Sequence, residues 1–167
     1  MAKADLLLGS NLGDRAGLLN RAVEMISADA GEVCAQSAIF ETEPWGNTKG
    51  QWFLNCAIQI NTMLEPLLLL RKLKDIERML GRINIESSGY EARTMDIDIL
   101  LYDDLVLESS GLIIPHPLLH LRRFVLVPLC EMDPHRIHPV LGQSIGQLLN
   151  DCSDGLLVKL YPMSGSR

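Results

Sequence analysis

Over residues 53–61 every second residue is a core-type apolar side chain. Leu54, Cys56, Ile58 and Ile60 share one face; Phe53, Asn55, Ala57 and Gln59 share the other. A period of two fits an extended strand, in which successive side chains point to opposite sides. The period then changes. Pro66 suits a first helical turn. Leu67, Leu70, Leu73, Ile76 and Leu80 recur at three and four residues, which predicts an amphipathic helix over 66–80 ended by Gly81. A strand that hands over to such a helix belongs to a layered domain, where a sheet face and a helix stripe bury each other.

The same reading extends to both sides. Residues 6–8 predict a short buried strand ended by the turn Gly9-Ser10-Asn11. Asp14 reads as a helix N-cap, followed by Leu18, Leu19, Ala22, Val23, Met25 and Ile26 at helical spacing. Residues 33–40 read as a second strand. Residues 94–102 alternate again, with Met95, Ile97, Ile99 and Leu101 on one face and Asp96 and Asp98 on the other. Residues 105–107 are expected to return as a hairpin. Residues 118–131 read as helical, with Pro128 marking a break or a new start. A short helix over 144–150 and a last strand over 156–161 complete the chain. This order predicts an α+β fold: a ferredoxin-like β-α-β-β-α-β core with an antiparallel sheet, plus C-terminal helices. With 167 residues, 47% of them apolar and 22% charged, the chain suffices for one domain over 1–167.

The net charge is −6, and the basic residues are scattered, which argues against nucleic-acid backbone as the main partner. A small anionic ligand stays compatible, because a few arginines can converge locally. No apolar stretch reaches the roughly 18 residues of a membrane span. The run at 6–8 is too short for a secretory signal, so the cytoplasm is expected. The four cysteines lie in apolar surroundings without a C-x-x-C pair, and are expected to be buried free thiols. A zinc site from Cys130, His135 and His138 is the other reading, at a spacing that matches no ordinary ligand pattern.

Two aperiodic stretches interrupt the pattern, at 42–51 and 82–93. Both are long for connections, and such loops tend to carry binding function. Asp is poorly suited to strand interiors, yet Asp96 and Asp98 put two carboxylates on one face, about 7 Å apart. Their repulsion calls for a cation, and Mg²⁺ takes one or two carboxylates together with substrate phosphates. An acidic solvent-facing strand is the plainer alternative; Asp103 and Asp104 sit at a turn, where Asp is expected. Arg82 and Arg93 bracket the second stretch, and Arg122 and Arg123 follow Pro115-His116-Pro117. Guanidinium groups fork onto phosphate oxygens. His116 makes either a structural hydrogen bond or a phosphate contact. Neither G-x-x-x-x-G-K-S/T nor G-x-G-x-x-G occurs, so a nucleotide would be held by side chains and metal. Trp45, Phe53, Tyr90 and Phe124, with Asn55, could hold a flat heterocycle.

Several segments together resemble the 6-hydroxymethyl-7,8-dihydropterin pyrophosphokinases in order and spacing. They are Gly9-Ser10-Asn11-Leu12-Gly13, Glu41-Thr42-Glu43-Pro44-Trp45-Gly46, Phe53-Leu54-Asn55, Arg93-Thr94-Met95-Asp96-Ile97-Asp98, Pro115-His116-Pro117 and Arg122-Arg123-Phe124-Val125-Leu126-Val127-Pro128-Leu129. The resemblance implies transfer of a diphosphate from MgATP to the pterin hydroxymethyl group, with release of AMP, in folate biosynthesis. It implies that Asp96 and Asp98 bind two Mg²⁺ ions and that Arg82 and Arg93 stabilise the transferred group. Glu77, Arg93, His116 and Arg122 would hold ATP. Thr42, Pro44, Trp45, Phe53, Asn55 and Phe124 would form the pterin pocket. Small-molecule substrates and a monomer are expected, and the two aperiodic stretches match the family's mobile catalytic loops. Gly89-Tyr90-Glu91-Ala92-Arg93-Thr94 stands where the family often reads R-W-G-P-R-T. The alternative is a catalytically degenerate module that binds a pterin or a nucleotide.

Overall fold

A computed structural model of the chain describes residues 1–44, 51–81 and 94–162. Strand β1 (Ala2–Ser10) leads into helix α1 (Arg15–Asp29), whose N-cap Asp14 accepts from the Gly17 N–H at 3.2 Å. Strands β2 (Glu32–Gln36), β3 (Phe40–Thr42) and β4 (Phe53–Thr62) follow, then helix α2 (Pro66–Met79) and strand β5 (Asp96–Tyr102). The main sheet is antiparallel, with β1 between β5 and β4 and with β3 on the far side of β4. Strand β2 also pairs with β4, beyond β3. This is the ferredoxin-like α+β arrangement expected from the element order.

Alternation buries the even positions of β1 and β4 against α1 and α2. Leu6, Leu8, Leu54, Ile58 and Ile60 meet Leu19 and Ile26 of α1 and Leu69, Leu73 and Ile76 of α2 in one core. The α2 stripe differs in phase from the one expected. Leu69 is buried and Leu67 is exposed. Four consecutive leucines at 67–70 leave the start of the stripe ambiguous, and tertiary packing selects Leu69-Leu73-Ile76-Leu80.

The other sheet face is a core as well, not a solvated surface. Helices α3 (Arg123–Met132) and α4 (Ile145–Asp151) pack Val125, Leu126, Leu129, Ile145 and Leu148 against Leu7 and Ala57. Pro128 lies inside α3 and neither breaks nor starts it. Ser144 caps α4 through a capping box with Gln147. Beneath these helices the buried Asp5 accepts from Gln59 Nε2 at 2.9 Å and faces Arg136 Nε at 3.5 Å. Burial pushes its carboxyl pKa up, against the pull of Gln59 and Arg136.

Other expectations are corrected. The single strand over 33–40 is two, because Ser37 interrupts it: its Oγ accepts from the Ala57 N–H at 2.9 Å and donates to the Ala38 carbonyl at 2.8 Å. In β5 the register against β1 shifts between Asp5, opposite Leu101, and Leu6, opposite Ile99. The bulge at Leu100 flips the alternation. Leu101 therefore joins Leu100 in the α3/α4 core, away from Ile97 and Ile99. The hairpin forms between β6 (Leu107–Glu108) and β7 (Ile113–Ile114) and does not pair with β5. The last strand, β8 (Val158–Leu160), pairs with β3. All four cysteines are free, but only Cys56 is buried and Cys34 is exposed. Among the described residues no three His, Cys, Asp or Glu side chains gather as a metal cluster, Cys130, His135 and His138 included. No described helix is long and apolar enough to cross a membrane.

Leu73→Ala removes a fully buried side chain from α2. It should cost about 3 kcal/mol, read as a lower urea midpoint at an unchanged m-value.

Candidate active site

The site grows from the register of three strands. Asp96 of β5 lies opposite Gly9 of β1, Gly9 opposite Asn55 of β4, and Asn55 opposite Phe40 of β3. Directly opposite residues share a face, so Asp96 and Asn55 stand on the α3/α4 side with a bare glycine between them. Two strand spacings put their backbones about 10 Å apart. The apolar cluster under α3 and α4 reaches the neighbouring Leu7–Ala57 row and stops there.

The glycine is required by its neighbour. A Cβ on Gly9 would lie 2.6 Å from Asn55 Oδ1. Asn55 is only 3% exposed, and its Nδ2 donates to Thr42 Oγ1 at 2.7 Å. That bond directs the amide oxygen toward Gly9. Phe53 pairs with Thr42 at the same end of β4, and Pro44 lies two residues beyond Thr42.

On the other side, a cleft of about 390 Å³ follows the outer edge of β5. Asp96 and Asp98 line it, with Leu70, Lys74 and Glu77 from α2 and His116 from the segment after β7. The backbone groups of this edge have side-chain and loop partners. Glu77, 3% exposed, accepts the Ile97 N–H at 3.1 Å. The His116 N–H donates to the Leu100 carbonyl at 2.9 Å, which holds the Pro115-His116-Pro117 turn beside the bulge.

His116 Nδ1 accepts from the Leu118 N–H at 3.2 Å, so the neutral ring carries its proton on Nε2. Burial pushes the His116 pKa below its ordinary value; Arg122 adds to the fall and Asp96 opposes it. Arg122 is itself half-buried, within the fields of Asp98 and Asp96. Its guanidinium carbon lies 5.6 Å from the Phe124 ring centroid. Carboxylates, a neutral imidazole and a guanidinium thus meet at one end of the sheet, next to the buried Asn55–Thr42 pair.

The candidate residues Asp96, Asp98, Glu77, His116, Arg122 and Phe124 therefore fall together, and Thr42, Asn55, Phe53 and Pro44 lie across β1 from them. Trp45, Arg82 and Arg93 lie outside the described residues, as do Tyr90, Glu91 and Ala92. Lys74, and Leu70 that was expected only in the apolar stripe of the helix, line the cleft without having been read as site residues from sequence. Their spacing from Glu77, at three and seven residues on α2, was the available signal.

A sequence model described as 7,8-dihydro-6-hydroxymethylpterin-pyrophosphokinase matches residues 6–134. The chain belongs to this pyrophosphokinase family. Among its relatives is the 2-amino-4-hydroxy-6-hydroxymethyldihydropteridine pyrophosphokinase of Methylorubrum extorquens, 41% identical over 89% of this chain and 92% of that one. The protein of the same name from Aquifex aeolicus is 39% identical over 84% of this chain and 86% of that one. The folic acid synthesis protein fol1 of Pneumocystis carinii is 36% identical over 93% of this chain but only 21% of its own length. Among solved structures, Plasmodium falciparum HPPK-DHPS superposes with a TM-score of 0.72 at 20% identity, over 89% of this chain and 44% of that one. The pyrophosphokinase fold is thus also found as part of longer chains. All the clustered site residues lie within the matched span of the family.

Two outcomes test this geometry. In Arg122→Ala the His116 pKa should rise, because the guanidinium that lowers it is gone and Asp96 stays; an NMR titration of the imidazole reads this. Gly9→Ala should break the Asn55–Thr42 bond, with a shifted Asn55 side-chain amide resonance and a loss of about 1–2 kcal/mol in stability.

Proposed function

We propose that this pyrophosphokinase transfers the β,γ-diphosphate of ATP to the hydroxymethyl oxygen of 6-hydroxymethyl-7,8-dihydropterin and releases AMP. The observation that carries the reading is the row Asp96–Gly9–Asn55 across β5, β1 and β4: a carboxylate at one end, with Asp98 in the next row on the same face, a buried amide at the other, and Gly9 between them. That span accommodates a bicyclic ring whose exocyclic carbon reaches toward the carboxylates.

Asn55, oriented by Thr42, offers an amide to the hydrogen-bonding edge of the pterin. Phe53 and Phe124 supply aromatic surface for its faces; Pro44 is assigned to the same pocket, as is Trp45 from sequence alone. His116, neutral, donates Nε2–H to a phosphate oxygen. Arg122 forks onto the triphosphate. Leu70, Lys74 and Glu77 of α2 line the nucleotide side. Arg82 and Arg93, known here from sequence alone, are assigned to the charge that builds on the transferred group.

The donor set suits magnesium. Asp96 and Asp98 are hard oxygen donors on one face, the donor type that would hold Mg²⁺ together with substrate phosphates. Two Mg²⁺ ions held there would supply charge neutralisation for the triphosphate. The hydroxymethyl oxygen bonds to the β-phosphorus. The bond from that phosphorus to the α,β-bridging oxygen breaks, AMP leaves with the bridging oxygen, and the hydroxyl proton passes to solvent. A monomer is the working form in this reading. Free thiols and these substrates fit the cytoplasm.

A degenerate binding module is disfavoured, since both aspartates, His116 and Arg122 are retained together. The decisive assay follows AMP after mixing protein, MgATP and pterin. AMP should form only when the pterin is present, and chelation of Mg²⁺ should stop it. Asp98→Ala should keep its circular dichroism spectrum and lose about a thousandfold or more of activity. Wild-type turnover in that variant would remove the metal assignment.

A further inference from the structure

On the opposite face of the sheet, a charged cluster joins both chain segments that carry the pterin-facing residues. Arg15 is the first residue of α1, a position where the helix dipole disfavours a cation. Its placement there is explained by what it holds. Nη1 lies 3.0 Å from Glu41 Oε2 and donates to the Trp52 carbonyl at 2.8 Å. Its guanidinium carbon is 5.9 Å from the Tyr161 ring centroid. Lys159, opposite Glu41 on β8, approaches Glu41 Oε1 at 3.6 Å and the Trp52 ring at 5.2 Å.

The two residues that Arg15 joins are neighbours of the pocket. Glu41 precedes Thr42 on β3, and strand alternation turns the two to opposite faces. The Trp52 carbonyl belongs to the peptide unit that begins Phe53, so a bond to it constrains the Phe53 backbone as well. Phe53 is the residue opposite Thr42, which bonds Asn55. One guanidinium therefore ties the end of β3 to the start of β4, directly behind Thr42, Phe53 and Asn55.

We infer that Arg15, through Glu41 and Trp52, is a positioning residue for the pterin pocket: it sets the spacing of Thr42 and Phe53 from behind the sheet without touching substrate. The inference rests on the pterin reading of that pocket. It separates substrate effects cleanly, because the cluster lies away from the aspartates and the nucleotide-side residues.

The test is steady-state kinetics on the full chain with each substrate varied in turn. Arg15→Ala should raise the pterin KM about tenfold, with kcat and the ATP KM within about twofold of wild type. A purely structural role would lower the melting temperature and leave the pterin KM unmoved. Arg15→Lys keeps the charge and should recover part of the loss. Glu41→Gln, nearly isosteric, should raise the pterin KM in the same direction, and serves alone if Arg15→Ala does not fold. A pterin KM unchanged in both Arg15→Ala and Glu41→Gln overturns the inference, as does a loss spread equally over ATP and pterin. Asn55→Ala in the same assay separates the two levels. If it binds pterin as wild type does, the pocket assignment itself falls; if it loses pterin while the Arg15 and Glu41 variants do not, only the positioning role falls.

Discussion

The antiparallel pairing of β1 with β4 on one side and β5 on the other is the constraint on which the molecule depends. Nine residues of β1 pair with β4 without a slip, and that ladder sets which residues of three strands share a row. The driving force for this register is burial of Leu6, Leu8, Leu54 and Ile58 beneath α1 and α2. A one-residue slip of β5 would turn Asp96 and Asp98 into that apolar layer, at the cost of burying unpaired charge. The same alternation that makes the core therefore aims the carboxylates at the cleft. No separate device is required to place them.

The electrostatics of the site run against the balance of the chain. The protein carries a net charge of −6, yet one of its proposed substrates, ATP, is a polyanion. Arg122 sits beside the acidic pair, and His116 is held neutral by burial and by that same arginine. Charge that would repel a polyphosphate is thereby concentrated where hard cations can meet it, the Glu77 carboxylate is turned onto the Ile97 N–H, and His116 adds a neutral donor to the cleft. Lys74 extends that character along α2.

Much of this was legible because it is periodic. Residues 53–61 and 94–99 showed their faces through alternation, and Asp14 showed its helix through capping chemistry. Asp96 and Asp98 stood out because Asp is costly within a strand. What was hidden depended on tertiary context. The four leucines at 67–70 permit several helix phases, and only packing selects Leu69. Nothing local distinguishes a strand whose second face meets α3 from one whose second face meets water, so Ala57 read as an outward position. Gly9 read as a turn signal, whereas its role is the close approach of Asn55 from the next strand. The pairing of Arg15 with Glu41 and Trp52 spans 26 and 37 positions of sequence, beyond the reach of any local pattern.

The bulge at Leu100 has a bearing on solubility. A long, flat outermost strand is a template to which a second molecule can add its own strand. Here the kink shifts the ladder partway along β5, the Glu77 carboxylate occupies the Ile97 amide, and the His116 amide occupies the Leu100 carbonyl. Two of the atoms that another chain would need for cross-molecular pairing are already engaged by side chain and turn. The edge beside the proposed nucleotide cleft is by the same means a poorer template for a copy of itself.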